Sequence, residues 1–393
     1  MRKVFPITPS TGGIVAIKDV VGREEEINLF WGVLQKQGIA LFAERRFGKS
    51  SILRKMEADG QEGFIPIYKP IEGESSPEGL VSELINRVRE KDLIDEGALK
   101  TLENLYNKAT QVVGEVKGIK LKKLEYTWQE QLYYLLDKLI EKHKDKKIVL
   151  ILDEFSIFLD NSSNEAASTI IGFLRDIVHE NKFRNIRFIY CGSIGIDLVL
   201  DKIKKDGHNI GDPLNHMYKH SLQPFTDDNA MFFGKCLNLG CKLNLTLEQI
   251  KQICIKSDNI PFFIDKVFSK LPMSYKEKML EKIDNAFEEI LDDTTGKESI
   301  RHFYDRIEHF YPNKMISIYI LNFISKSTAF VTETEIANNV MSNTTGTNRV
   351  EINNEIDRLM KDGYLYRLVN DEERTYDFKY SLLKSWWKRN KAF

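Results

Sequence analysis

Short apolar, β-branched runs alternate with longer stretches in which apolar residues recur every three or four positions. The runs are 39–42 (IALF), 64–68 (FIPIY), 148–152 (IVLIL) and 186–191 (IRFIYC), with a fifth, shorter candidate at 220–223 before Pro224. Buried strands alternating with amphipathic helices predict a parallel α/β sheet. Between the second and third runs, 77–144 reads as a Lys/Glu-rich helical insert interrupted near "VVGEVKG".

After Pro224 the strand signal fades. "DDNAMFFGKCLNLG", "TLEQIKQICIKS" and "IPFFIDKVFSKL" predict helices of a small lid, and the polar, turn-rich "EEILDDTTGKES", 288–299, predicts a linker. Three further helical patterns follow, "MISIYILNFISKS", "TETEIANNVM" and "TNRVEINNEIDRLMKDG". Two strand-like runs, "YLYRLV" and "TYDFKY", come next, and then the amphipathic "SLLKSWWKRN" with Trp386 and Trp387. Three helices and a hairpin predict a winged helix-turn-helix. The expected domains are therefore 1–223 (α/β), 224–298 (lid) and 299–393 (winged helix).

Composition narrows the class. The 393 residues are 42% hydrophobic and 11% aromatic, enough for well-buried cores. No uninterrupted run of some eighteen apolar residues occurs, and "MRKVFPITPSTGG" lacks the apolar block of a signal peptide, so a soluble cytoplasmic protein without membrane partners is expected. Cys191, Cys236, Cys241 and Cys254 form no C-x-x-C pair and read as small buried apolar groups. A net charge of -1 gives no global attraction to nucleic acid, so any such binding needs a local patch.

The chemistry begins where the first run ends. "IALFAERRFGKSSILRKM" carries Gly48, Lys49, Ser50 and Ser51 between a buried strand and a helix, the context that a phosphate-binding loop requires. Backbone N–H groups of 46–50 and the helix N-terminus would hold a polyphosphate, Lys49 would reach its β and γ phosphates, and Ser50 would bind magnesium. Ala43 stands where the pattern G-x-x-x-x-G-K-[ST] has its first glycine. A methyl group is tolerable there if φ stays negative.

A second half of the site is expected at "KKIVLILDEF". Asp153 ends a buried strand at the carboxyl edge of the sheet, where it suits an outer-sphere magnesium contact, and Glu154 suits the group that orients or deprotonates the attacking water. At the tip of the 186–191 run, "IYCGSIG" puts Ser193 where a sensor hydroxyl would meet the γ phosphate.

Taken together these motifs resemble the ATPases of the STAND and origin-recognition branches of the AAA+ superfamily, over about residues 15 to 270. "VVGREEEINLFWGVL" is similar to the box that helps cover adenine, through Gly22 and Arg23. "AERRFGKSSIL", with Glu44, Arg45, Arg46, Phe47 and Ser51, is similar to their G-x-R-R-x-G-K-[ST]-S loop. "VLILDEF" and "RFIYCGSIGIDLVL" resemble their acidic and sensor strands. "SDNIPFFID" keeps Pro261 of the lid motif but has Asp258 and Asn259 in place of its glycines. The resemblance implies a P-loop NTPase sheet of order 5-1-4-3-2, ATP with magnesium, and switching, often through oligomerisation.

The expected function is an ATP-binding, slowly hydrolysing switch that works on a protein partner or on further copies of itself. A DNA-binding regulator is the alternative, and a nucleotide-free scaffold the third. For DNA, Arg349, Asn353, Asn354 and Arg358 lie on the would-be recognition helix among Glu351, Glu355 and Asp357, with Lys384, Lys388, Arg389 and Lys391 further on. Those carboxylates oppose phosphate and favour a docking role. Arg175, Arg184 and Arg187 are candidates for a trans-acting arginine, although a surface salt bridge is the plainer expectation for each. His216 and His220 have the spacing of one helix face.

Overall fold

The computed structural model describes residues 2–10, 13–110, 127–192, 196–208, 210–271, 279–293, 300–370 and 373–392. The chain forms two compact units, one of Arg23–Ala43 and Lys49–Leu222, the other of Met1–Gly22, Glu44–Gly48 and Gln223–Phe393.

The first unit is α/β. In chain order it contains α1 (Glu24–Leu34), β1 (Gly38–Phe42), α2 (Lys49–Asp59), β2 (Phe64–Pro70), α3 (Pro77–Glu90), α4 (Glu96–Thr110) and α5 (Trp128–Lys142). β3 (Lys147–Asp153), α6 (Phe155–Asn161), α7 (Asn164–His179), β4 (Ile186–Gly192), α8 (Ile196–Lys205) and β5 (Met217–Ser221) follow. The strands form one parallel sheet of order β2-β3-β4-β1-β5. The expected 5-1-4-3-2 order is the same sheet read from its other edge. Ile148 to Leu152 of β3 are all fully buried, as a strand covered on both faces requires. The "VVGEVKG" break in the insert lies outside the described residues.

The edge strand β2 carries Pro66 and Pro70, neither of which has an N–H to offer a ladder. Its even-numbered positions face the open edge. There Tyr68 donates its N–H to Glu57 Oε1 at 2.8 Å, and Lys91 Nζ reaches the Pro66 carbonyl at 3.1 Å. Side chains thus satisfy the backbone groups that an edge leaves unpaired.

At the opposite edge the strand expected at 220–223 is shifted. β5 spans Met217–Ser221, and Leu222 still donates to the Phe42 carbonyl at 2.8 Å. An edge strand with one covered face needs no continuous apolar run, which is why "MYKHS" escapes a search for one. His220 consequently lies on a strand, with its ring edge-on to Phe30, and His216 precedes it against His179. They do not share a helix face.

The second unit contains α9 (Asp227–Cys241), α10 (Leu247–Lys256), α11 (Pro261–Lys270), α12 (Met279–Asp292), α13 (Arg301–Phe310) and α14 (Lys314–Lys326). These are followed by β6 (Val331–Thr332), α15 (Glu333–Asn343), α16 (Arg349–Lys361), β7 (Leu365–Asn370), β8 (Glu373–Phe378) and α17 (Ser381–Asn390). The three strands pair antiparallel in the order β6-β8-β7. At two residues, β6 is too short to show alternation.

The expected linker is partly helix: Ile283, Phe287 and Ile290 keep an apolar stripe buried, so α12 runs through Glu288 to Asp292, while 294–299 lie outside the described residues. Trp386 and Trp387 of α17 are fully buried, and Trp387 Nε1 donates to Asn322 of α14 at 2.8 Å. The N-terminal residues, expected with the α/β domain, group with this second unit. Ile7 donates to the Cys236 carbonyl at 3.1 Å, and a β-carbon at Gly240 would stand 2.0 Å from the Ile7 carbonyl oxygen. All four cysteines are buried.

Candidate functional site

Strand β1 ends at Phe42 and α2 begins at Lys49, so the loop 43–48 has six residues in which to turn the chain back. The backbone at Ala43 stays out of the left-handed region, the condition under which its methyl group is harmless. Arg46 (φ 77) and Gly48 (φ 89) enter it instead. No atom lies within 4 Å of where a Gly48 β-carbon would stand, so glycine is required there for conformation rather than for space.

Lys49 is only 5% exposed and its ammonium donates to the Ala43 carbonyl at 2.9 Å. It sits at the first position of α2, whose first turn carries no acidic residue. A buried cation added to the positive end of a helix is the electrostatic setting for an anion. Ser50 is half-buried and its carbonyl accepts from Arg54 Nε at 3.3 Å; Ser51 is half-buried beside it.

Asp153 closes β3 and is 2% exposed. Oδ2 accepts the Tyr68 hydroxyl at 2.7 Å, and Oδ1 accepts the Glu154 N–H at 3.1 Å. Burial, and then the Asp153 carboxylate, push the Tyr68 phenol far above its ordinary value, so the hydroxyl stays a donor throughout the working pH range. The Cys191 thiol at the end of β4 is pushed well up by burial and by Asp153, while Lys49 pulls it down. Lys49, Asp153 and Glu154 therefore all act on one point at the carboxyl end of the sheet. Glu154 takes a left-handed backbone (φ 58, ψ 36) at the start of α6, a conformation that is rare for a side-chain-bearing residue and clusters at functional sites. Ser193 lies outside the described residues.

Hard oxygen donors and one ammonium suit a magnesium polyphosphate. Among the described residues no group of three or more His, Cys, Asp or Glu side chains is placed to hold a metal ion by itself. A metal bound here would need phosphate oxygens and water to complete its shell.

Glu44–Gly48 belong to the second unit and have their neighbours within it. Glu44 is 9% exposed and is gripped in fork fashion by Arg306 of α13: Nη1 donates to Oε1 at 2.9 Å and Nη2 to Oε2. Arg306 also reaches the Asp362 carbonyl at 3.3 Å, and Tyr311 donates to the Asp362 carboxylate. Arg46 lies over the Phe262 ring at 4.5 Å, and Phe47, fully buried, meets Tyr380 edge-on at 5.6 Å. Arg45 is exposed.

The Gly22 carbonyl accepts from Asn229 Nδ2 at 3.1 Å. Arg23 is 3% exposed and pairs with Glu26 on its own helix at 2.7 Å. Pro261 opens α11 at the position where its fixed φ helps and its missing N–H costs nothing. Asp258 and Asn259 are both left-handed, φ 50 and 55.

Arg187, expected in a salt bridge, instead donates to the Leu34 and Gln35 carbonyls, capping α1. Among the other basic candidates, Arg358 pairs with Glu355, Lys384 with Asp377, and Arg389 with Glu288 and Asp292, while Lys391 lies over the Tyr304 ring at 3.6 Å. Tyr68, Glu57 and Arg306 had no sequence signal, because each acts on a residue remote in the chain or across the sheet edge.

Sheet order, loop and acidic strand end form an α/β P-loop NTPase-like fold. The chain is similar to the Walker-type ATPase paby2304 of Pyrococcus abyssi, with a TM-score of 0.64 and 15% identity over 94% of this chain and 96% of that one. It is also similar to the ORC2 protein of Aeropyrum pernix, solved in ADPNP-ADP complexes, with a TM-score of 0.55 and 11% identity over 92% and 91%. At such identities the likeness establishes the fold. No protein-family model and no curated protein matches the chain. Among the described residues no helix is long and apolar enough to cross a membrane.

Proposed function

We propose that this chain is an ATP-binding switch of the cytoplasm. ATP with magnesium would be held by Lys49, Ser50 and Asp153, Glu154 would serve slow hydrolysis, and the C-terminal helices would respond for a protein partner or a second copy. The reading treats 224–298 as a lid and 299–393 as a winged helix.

The observation that carries it is the fork between Glu44 and Arg306. A phosphate held at Lys49 and Ser50 would act on Glu44 through five intervening peptide units, and Glu44 is already fixed to Arg306 of α13, which also donates to the Asp362 carbonyl in the turn after α16. Any rearrangement of the loop around phosphate is thus felt by the C-terminal helices. When bound, magnesium would neutralise phosphate charge and polarise the terminal phosphoryl group. The chain's own part is to bind through Lys49, to hold the Asp153 carboxylate in place, and to present Glu154 as proton acceptor.

The DNA reading is weaker. Arg358, Lys384 and Arg389 are engaged with carboxylates and Lys391 with an aromatic face, which takes most of the expected patch out of use. The testing experiment is Lys49→Ala, with binding of a fluorescent ATP analogue and magnesium-dependent turnover as readouts. Affinity is expected to fall at least about tenfold with loss of the ammonium's charge-assisted contacts. Unchanged affinity and turnover would sink the proposal.

A further inference from the structure

We propose that Tyr68 is a positioning residue for the Asp153 carboxylate and the link that ties it to helix α2. This rests on the magnesium–ATP reading above and adds to it a residue on the sheet edge that no motif contains.

Tyr68 makes two bonds of different kinds on two elements. Its hydroxyl donates to Asp153 Oδ2 at 2.7 Å, leaving Oδ1 on the Glu154 N–H. With each oxygen engaged, the carboxylate is fixed in rotation. Its main-chain N–H donates to Glu57 Oε1 at 2.8 Å, and Glu57 belongs to α2, the helix that begins at Lys49 and Ser50.

Glu57 is itself held from α3 and the residue after it, by Arg87 at 2.6 Å and Lys91 at 2.8 Å. The connection from α2 to the acidic strand therefore runs from Glu57 of α2 to Tyr68 to Asp153, with a hydrogen bond at each of its two joints. β2 lies beside β3, with Tyr68 paired in register to Ile151, so the ring stands within reach of the end of β3 without crossing the sheet. A carboxylate that meets a hydrated metal through one fixed orientation depends on its outer partners nearly as much as on itself.

The test is Tyr68→Phe in the full chain, which keeps the ring and removes only the donor. A fluorescent, slowly hydrolysed ATP analogue is titrated first in EDTA and then against magnesium, and the nucleotide-free protein is melted in parallel. The expected result is metal-free affinity within about twofold of wild type, with the magnesium concentration for half-maximal tightening raised about tenfold, the lower end for loss of an outer-shell partner. A lowered melting temperature with an unchanged magnesium midpoint would assign Tyr68 a purely structural role and overturn the proposal. If wild type showed no magnesium-dependent tightening, the ATP reading would fall and this one with it. If wild type tightened and the variant did so identically, only this one would fall.

Discussion

Asp258 and Asn259 illustrate how far a single position can be read. The resemblance made them departures, residues with side chains where glycines are usual. The structure shows why they are acceptable: both are left-handed, and Asp and Asn are the residues that tolerate this region best after glycine. Asp258 then does something a glycine cannot. Its carboxylate accepts the Ser381 N–H at 3.0 Å, the Ser381 hydroxyl at 2.7 Å and the Leu382 N–H at 2.8 Å, which caps the N-terminus of α17 from a different part of the chain. Asp258→Ala is therefore expected to destabilise the second unit by about 1–2 kcal/mol through loss of the cap, and Asp258→Asn by less, as measured by urea denaturation. The loop was legible at this level because glycine, lysine and serine are locally diagnostic. Tyr68 was not, since a tyrosine in "FIPIYKP" has the same pattern whether it meets Asp153 or solvent.

Strands β1, β3 and β4 were legible because a strand buried on both faces must be continuously apolar, and helices α9 to α11 because their stripes repeat every three or four residues. β5 was placed about three residues late and β6 escaped, because an edge or a two-residue bridge imposes no such pattern. The open edge of β2 shows where the missing information went, into Glu57 and its clamp. Burial alone would raise the Glu57 pKa, but the bonds from Lys91, the Tyr68 N–H and Arg87 outweigh it and hold the carboxyl below its ordinary value of 4.5. A depressed carboxylate stabilises the folded state above 4.5, and that contribution is lost as pH falls through the folded value. Glu57→Gln is accordingly expected to cost about 1 kcal/mol near pH 7, a figure already discounted for its partners' partial exposure to solvent. The difference from wild type should shrink as pH falls below 4.5. Parallel denaturation curves at pH 7 and in the acid range check both the sign and the window, and a constant difference would contradict the assignment.

How the loop after β1 is tied to the C-terminal third of the chain could not be anticipated from sequence, because Glu44 and Arg306 lie 262 positions apart and neither belongs to a motif that names the other. What the sequence did contain was a buried strand, a loop and a helix, and the structure has all three in that order, but nothing in them reveals what holds the middle of the loop. Breaking one side of a buried, hydrogen-bonded pair leaves the other charge without water or partner and typically costs about 3–5 kcal/mol, whereas replacing both sides with neutral groups costs much less. Arg306→Met is thus expected to destabilise strongly, and Glu44→Gln with Arg306→Met to recover most of that loss. The double variant separates stability from switching. If the fork transmits the nucleotide state, ATP analogue and magnesium should change amide exchange in α13 and in the turn at Asp362 and Gly363 in wild type but leave them unchanged in the double variant, while the analogue still binds through Lys49. Equal nucleotide-dependent protection in both proteins would show that the signal bypasses Glu44, and the fork would then be an anchor for the loop rather than part of the switch.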